Sequence, residues 1–163
     1  MLQSPEPLSA AHVLDGFDSG VASLDDWLRK RALPNQTSGA SRTFVTCDAG
    51  RVVAYYALAA SAIATESAPD SFRRNMPDPI PVVVLGRLAI ARSHQGQRLG
   101  RSMFQDAAKR IVQTADTIGI RGLLVRAMSV EAKAFYLQLG LAPSPLEPMT
   151  LMATIANLRA AMA

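Results

Sequence analysis

"VVVLGRLAIARSHQGQRLG", residues 82–100, holds the transition on which the fold turns. Its first half is dominated by Val82, Val83, Val84, Leu85, Leu88, Ala89 and Ile90 and reads as a buried strand. Gly86 inside that run marks a bulge or a close backbone approach. The second half is polar. It carries Gly96 and Gly100, with arginines at 92 and 98 and a third at 101 just beyond. From Leu99 onward, apolar residues recur every four positions through Met103, Ala107 and Ile111, with Phe104, Ala108 and Val112 beside them. That spacing predicts a helix packed by one broad face. A strand that turns through a glycine-bearing loop into a helix gathers free backbone N–H groups at the positive end of the helix dipole. Such a point favours a phosphate. From these residues alone, an ordinary polar turn remains an equal reading, because one glycine-rich turn is a weak signal.

Downstream, "RGLLVRAM" (121–128) reads as another strand, and Gly119 ends the helix before it. "SVEAKAFYLQLG" (129–140) reads as a shorter helix with Ser129 as its N-cap and Gly140 just past its end. The proline-rich "APSPLEP" (142–148) leads into a last apolar strand, "MTLMATIANL" (149–158). Upstream, "RTFVTC" (42–47) and "RVVAYYALAA" (51–60) flank "DAG" (48–50), a hairpin signal. "SLDDWLRKRA" (23–32) predicts an amphipathic helix opened by Ser23, with Asp26 as an acidic variant of the capping box. Leu24, Trp27, Leu28 and Arg31 share one of its faces. Residues 61–79 read as a loop with a short helical turn. The order helix, hairpin, loop, strand, helix, strand, helix, strand is mixed α/β, and 163 residues are expected to form one domain, residues 1–163.

Composition narrows the function. No apolar run is long enough to cross a bilayer, and "MLQSPEPLSA" has no signal-peptide pattern, so a cytoplasmic location is expected. Cys47 is the one cysteine, lies in an apolar run, and reads as a buried inert thiol. No cysteines or histidines pair at ligand spacing, so no metal is expected. The net charge of +4, mostly from arginine, favours polyanionic partners.

"VVVLGRLAIARSHQGQRLG" resembles the acetyl-CoA-binding core of the GNAT acetyltransferases. "GIRGLLVRAMSVEAKAFYLQLGL" resembles that family's next strand and helix. "GFDSGVASLDDWLRKRALPNQTSGASRTFV", "VLGRLAI" and "AKAFY" together resemble the GNAT toxins of bacterial toxin–antitoxin pairs, over Phe17 to Met152. The resemblance implies an acyl-CoA N-acyltransferase fold of α+β type, with a mostly antiparallel mixed sheet flanked by helices. It implies acetyl-CoA as donor, its pyrophosphate cradled by Gln95, Gly96, Gln97, Arg98, Leu99, Gly100, Arg101 and Ser102, its thioester beside Leu88, Ala89 and Ile90. Two residues depart from the pattern. Arg98 stands where the motif usually has its first glycine, and Ala91 where these toxins often carry aspartate. Backbone N–H groups can still hold the anion at Arg98, provided a non-glycine residue can adopt the required backbone.

Acetyl transfer needs a neutral amine, a polarised thioester carbonyl and a proton for the departing thiolate. From helical spacing alone, Phe135 and Tyr136 read as core. The resemblance assigns Tyr136 as the proton donor and leaves Phe135 in the core. A strand amide near Ile90 is placed to polarise the carbonyl. Glu131, His12 and His94 are available as bases, yet an α-amine with a pKa near 8 needs little help. The resemblance implies aminoacyl-tRNA as acceptor, a block on translation, a ribbon-helix-helix antitoxin as partner, and a homodimer. Arg29, Lys30, Arg31, Arg42, Arg73 and Arg74 are candidate tRNA contacts, although each singly also reads as a solvated charge. Two other classes remain open: an acetyltransferase of a protein or small-molecule amine, and a non-catalytic DNA- or partner-binding subunit.

Overall fold

In the computed structural model, which describes residues 1–162, the chain divides into two compact units. One holds residues 1–59 and 86–107; the other holds residues 60–85 and the chain from 108 onward. In chain order the elements are β1 (Glu6–Pro7), α1 (Ala22–Trp27), a π-helical turn (Leu28–Ala32), α2 (Leu33–Ser38), β2 (Arg42–Asp48) and β3 (Arg51–Ile63). Then follow α3 (Asp70–Arg73), β4 (Ile80–Ile90), α4 (Leu99–Ala115), β5 (Gly122–Arg126), α5 (Val130–Gln138), β6 (Ala142–Pro143), β7 (Thr150–Thr154) and α6 (Ile155–Met162). The strands lie in the order β1-β2-β3-β4-β5-β7-β6. Only β4 and β5 are parallel among the registered pairs; β1–β2, β2–β3, β5–β7 and β6–β7 are antiparallel.

The first unit is built on the β2–β3 hairpin. Ala49 and Gly50 sit at φ 52° and 80°, the two left-handed residues that a type I′ turn demands. A bulge shifts the ladder between Thr46 and Cys47. Tyr55 and Tyr56 are both fully buried and, as neighbours on a strand, face opposite ways. The Tyr55 hydroxyl donates to the Leu24 carbonyl of α1 at 2.7 Å, and the Tyr56 hydroxyl donates to the Asp106 carboxylate of α4. One strand therefore clamps a helix on each face. The first helix differs from its sequence reading: Val21 is the N-cap and Ser23 lies inside. The carboxylate that matters is Asp25, 5% exposed, which accepts from the Ser19 N–H at 3.0 Å and the Ser19 hydroxyl at 2.6 Å. It fixes the chain just before the helix.

In the second unit the β4–β5 ladder runs from Val82↔Gly122 to Leu85↔Val125. A Cβ on Gly122 would lie 2.0 Å from the Ala153 carbonyl oxygen, so β5 can pass β7 here only with glycine. Ile63, Ala68, Phe72, Ile80, Val82, Leu124 and Met152 form one core cluster. The stretch read as a loop supplies part of it, because α3 turns Phe72 inward and Arg121 holds the Ser71 and Phe72 carbonyls at 2.8 and 2.7 Å. The predicted face of α4 is buried from Leu99 to Ile111, and Val112 at its end is half-buried. The helix stops at Ala115 and a turn follows, so Gly119 lies beyond its end. Within "MTLMATIANL" the strand stops at Thr154 and a helix continues, where Asn157 N–H bonds back to the Thr154 hydroxyl at 3.0 Å.

Candidate active site

The glycine loop lies wholly in the first unit. Its base is tied down from several sides. Ala91 N–H donates to Val53 O and Arg92 N–H to Asp18 O, each at 2.8 Å. The Gln95 side-chain amide donates to both Ser19 O and Ile90 O, again at 2.8 Å. Both of its hydrogens are thereby committed to protein carbonyls, and Gln95 has only its oxygen and its backbone left for a ligand. Arg92 Nε lies 3.2 Å from Asp18, and His94 bridges Ser93 and Asp48 at 2.7 and 2.8 Å. The N-terminal ammonium and His94 hold the Asp48 carboxyl below the usual carboxylate range.

Above this base the backbone opens. Gly96 and Arg98 are left-handed, at φ 78° and 63°. Among the described residues, no protein acceptor meets the N–H groups of Gly96 through Arg101. The first helical bond is Ser102 N–H to Arg98 O at 3.1 Å, and the Ser102 hydroxyl goes to the same carbonyl. Leu99 turns its side chain into the core, while Arg98 and Arg101 stay exposed. The left-handed backbone explains why a glycine is the easier residue at 98. Arginine there costs about 1 kcal/mol of backbone strain but keeps its N–H in the array. A run of free amides at the start of a 17-residue helix, with two guanidinium groups beside it, fits a diphosphate.

β4 runs on through Gly86–Ile90 past the last pair of its β5 ladder. Leu88 and Ile90 are half-buried on one face, and Ala89 is buried on the other. Gly86 makes no tight approach, since a Cβ there would meet only the Ala57 carbonyl oxygen at 4.0 Å.

Tyr136 lies in the second unit, on α5. Ser129 caps that helix by accepting from Ala132 N–H at 3.1 Å. At the other end Gly140 (φ 95°) closes a Schellman turn, with Leu141 N–H on Tyr136 O and Gly140 N–H on Leu137 O. Tyr136 is 8% exposed, its ring edge-on to Phe135 at 5.1 Å. Burial pushes its hydroxyl pKa up to about 12. It therefore stays protonated across the neutral range, as a proton donor must.

The basic candidates are spread over both units. Arg29 donates to Phe17 O and pairs with Asp26; Arg31 reaches Asn35; Arg42 donates to Gln36 O; Arg73 pairs with Asp70. Lys30 and Arg74 are exposed with no acceptor among the described residues. Glu6, His12 and Cys47 also come together within 4.8 Å. The His12 Nδ1 accepts from Ser9 N–H at 2.9 Å, which leaves its hydrogen on Nε2, aimed at Glu6 at 2.7 Å. That is a hydrogen-bonded pair with no free nitrogen lone pair for a cation. Sequence reading missed the clamp of Asp18, Ser19 and Asp25 on the loop. No local signal reveals it, because Ser19 and Gln95 are 76 positions apart.

The chain is 50% identical over 157 residues to the tRNA-acetylating toxin of Mycobacterium tuberculosis, covering 96% of this chain and 95% of that one. It belongs to the family of tRNA-acetylating toxins. Among solved structures, AtaT complexed with acetyl-methionyl-tRNAfMet matches it with a TM-score of 0.92 and 28% identity over 100% of both chains. A tyrosine-to-phenylalanine mutant of AtaT, bound to the C-terminus of the antitoxin AtaR and acetyl-CoA, matches with a TM-score of 0.85 and 27% identity, over 99% of this chain and 98% of that one. No family model matches the chain. The fold of this toxin is thus the GNAT fold expected from its strand, loop and helix.

Proposed function

We propose that this chain, as one catalytic domain, transfers the acetyl group of acetyl-CoA to the α-amine of an aminoacyl-tRNA. Capping that amine removes the aminoacyl group from peptide elongation. The observation that carries this reading is the 50% identity, over nearly the whole chain, with a tRNA-acetylating toxin.

Each residue then has a task. The N–H groups of Gly96 through Arg101 hold the pyrophosphate, with Arg98 and Arg101 adding charge. Gln95 and Ser102 fix the two ends of that array. Leu88, Ala89 and Ile90 line the acyl-bearing arm, and a strand amide near Ile90 stabilises negative charge on the carbonyl oxygen. Bound acetyl-CoA supplies an activated thioester. The amine nitrogen forms a bond to the carbonyl carbon as the C–S bond breaks, and the Tyr136 hydroxyl gives its proton to the sulfur. The nitrogen releases its proton to solvent, which restores the tyrosine. An α-amine is neutral often enough near pH 8 for this to proceed without a dedicated base.

Arg29, Lys30, Arg31, Arg42, Arg73 and Arg74 are the proposed tRNA contacts, with Lys30 and Arg74 the readiest because they are unpaired. The same reading carries a ribbon-helix-helix antitoxin and a homodimer, and an acceptor found in the cytoplasm places the chain there. No helix among the described residues is long and apolar enough to cross a membrane. The test is incubation of the purified chain with acetyl-CoA and individual charged tRNAs, followed by analysis of the aminoacyl group. N-acetylated product is expected; acetylation of polyamines or peptides alone overturns the reading.

A further inference from the structure

Arg87 sits on β4 immediately before the strand segment assigned to the acyl group. Alternation along the strand points it to the face opposite Leu88 and Ile90, the face that carries α1. Its guanidinium lies over the indole of Trp27, 4.5 Å from the ring centroid. Trp27 in turn stacks on buried Tyr55, with centroids 5.9 Å apart and planes at 11°. The helix switches to its π-helical turn directly after Trp27, a local widening that proteins use mostly at functional positions. Arg87 is half-buried, and among the described residues no carboxylate pairs with it and no acceptor takes its N–H groups. Arg29, Arg42 and Arg92 of this unit are held by carbonyl or carboxylate oxygens. Arg87 is the half-buried arginine of the unit and lies over an aromatic ring instead, with its N–H groups unused among the described residues.

Such an arrangement is suited to one kind of ligand. A planar guanidinium fixed on an aromatic ring presents parallel N–H donors to a phosphate and a flat face to a base. Arg87 shares its face of β4 with Ala89, two positions along the segment assigned to the acyl arm, so a group bound at Arg87 lies about 7 Å along the strand from that residue. The acceptor amine of an aminoacyl-tRNA hangs from the 3′-terminal ribose, and the nearest phosphates are those of the terminal nucleotides.

We propose that the Arg87–Trp27 stack binds the phosphate backbone of the single-stranded 3′ end of the tRNA and so presents the amine. This rests on aminoacyl-tRNA being the acceptor. The test compares wild type with Arg87→Met, which keeps a flexible apolar cover on the indole but removes the charge and donors. Equilibrium binding is measured over a range of salt to intact tRNA and to the same tRNA lacking its 3′-terminal nucleotides. Arg87→Met should bind intact tRNA about tenfold more weakly, the scale of one hydrogen bond to a charged group. The slope of log affinity against log salt should shrink by about 0.7 to 0.9, one phosphate contact. Wild type and variant should bind the shortened tRNA equally, and their acetyl-CoA affinities and melting temperatures should agree. An unchanged affinity for intact tRNA, an equal loss on both RNAs, or a loss of acetyl-CoA binding instead would each overturn the proposal. A wild type that fails to acetylate charged tRNA while the binding difference persists would overturn the acceptor reading and leave the Arg87 site standing. Turnover of charged tRNA with an unchanged KM in Arg87→Met would do the reverse.

Discussion

Replacing Arg98 separately by alanine and by glycine isolates the backbone strain of the phosphate loop. Arg98 holds φ 63° in a position from which its N–H joins the free array of Gly96 through Arg101. Both substitutions remove the guanidinium, so they differ only in backbone preference. An L-residue in the left-handed region costs about 1–2 kcal/mol, and glycine escapes that cost. Glycine gives back about 0.5–1 kcal/mol because its unfolded chain is freer. The glycine variant should therefore be the more stable of the two by about 0.5–1 kcal/mol. For a chain of this size that is a difference of about 1–4 °C in Tm. The assay is thermal unfolding of the two variants side by side, with urea midpoints at constant slope as a check. Acetyl-CoA affinity should be alike in the two, since each retains the N–H. An alanine variant as stable as the glycine variant would refute the left-handed assignment at 98 and with it the geometry of the array.

Tyr136→Phe should lower turnover by about a hundredfold to ten-thousandfold while acetyl-CoA affinity stays nearly constant, read from single-turnover rates and calorimetry. Because burial raises the Tyr136 pKa to about 12, its donor form is fully present below the ordinary tyrosine value near 10 and is lost only as pH rises through 12. The wild-type rate should climb with amine deprotonation near pH 8 and show no basic decline up to pH 10; a fall centred below pH 10 would assign the proton to another group. Gly100→Asp should place a carboxylate against the bound pyrophosphate and abolish measurable coenzyme binding in a folded protein. Replacing Arg73 and Arg74 together by alanine should weaken tRNA binding and flatten its salt dependence without touching acetyl-CoA affinity, with most of the effect from Arg74, since Arg73 is already paired with Asp70.

The strand, loop and helix of residues 82–115 were legible because their signals are local: an apolar run, two glycines, then a four-residue period. Ser129 and Gly140 were legible for the same reason, as cap chemistry acts over three or four residues. Ser23 misled because the residue type was right for a cap but stands two residues past the N-cap at Val21, and the real anchor is a buried Asp25–Ser19 contact. The edge strands β1 and β6 escaped notice since two residues each carry no period. The clamp of Asp18, Ser19 and Asp25 on the loop, and the stacking of Arg87 on Trp27, join residues far apart in the chain. Only the tertiary fold brings them together. Charge gave the kind of partner but not its surface, because pairing with Asp26 or Asp70 quiets some arginines and leaves Lys30 and Arg74 free.

The most direct test of the central claim follows one chemical group. Wild type and Tyr136→Phe are each given acetyl-CoA labelled in the acetyl group and a set of tRNAs, each charged with a different amino acid. Label should appear on the α-amine of the aminoacyl moiety with wild type, scarcely at all with Tyr136→Phe, and not on uncharged tRNA. Label transferred to no charged tRNA, or transferred equally well by both proteins, would contradict the account.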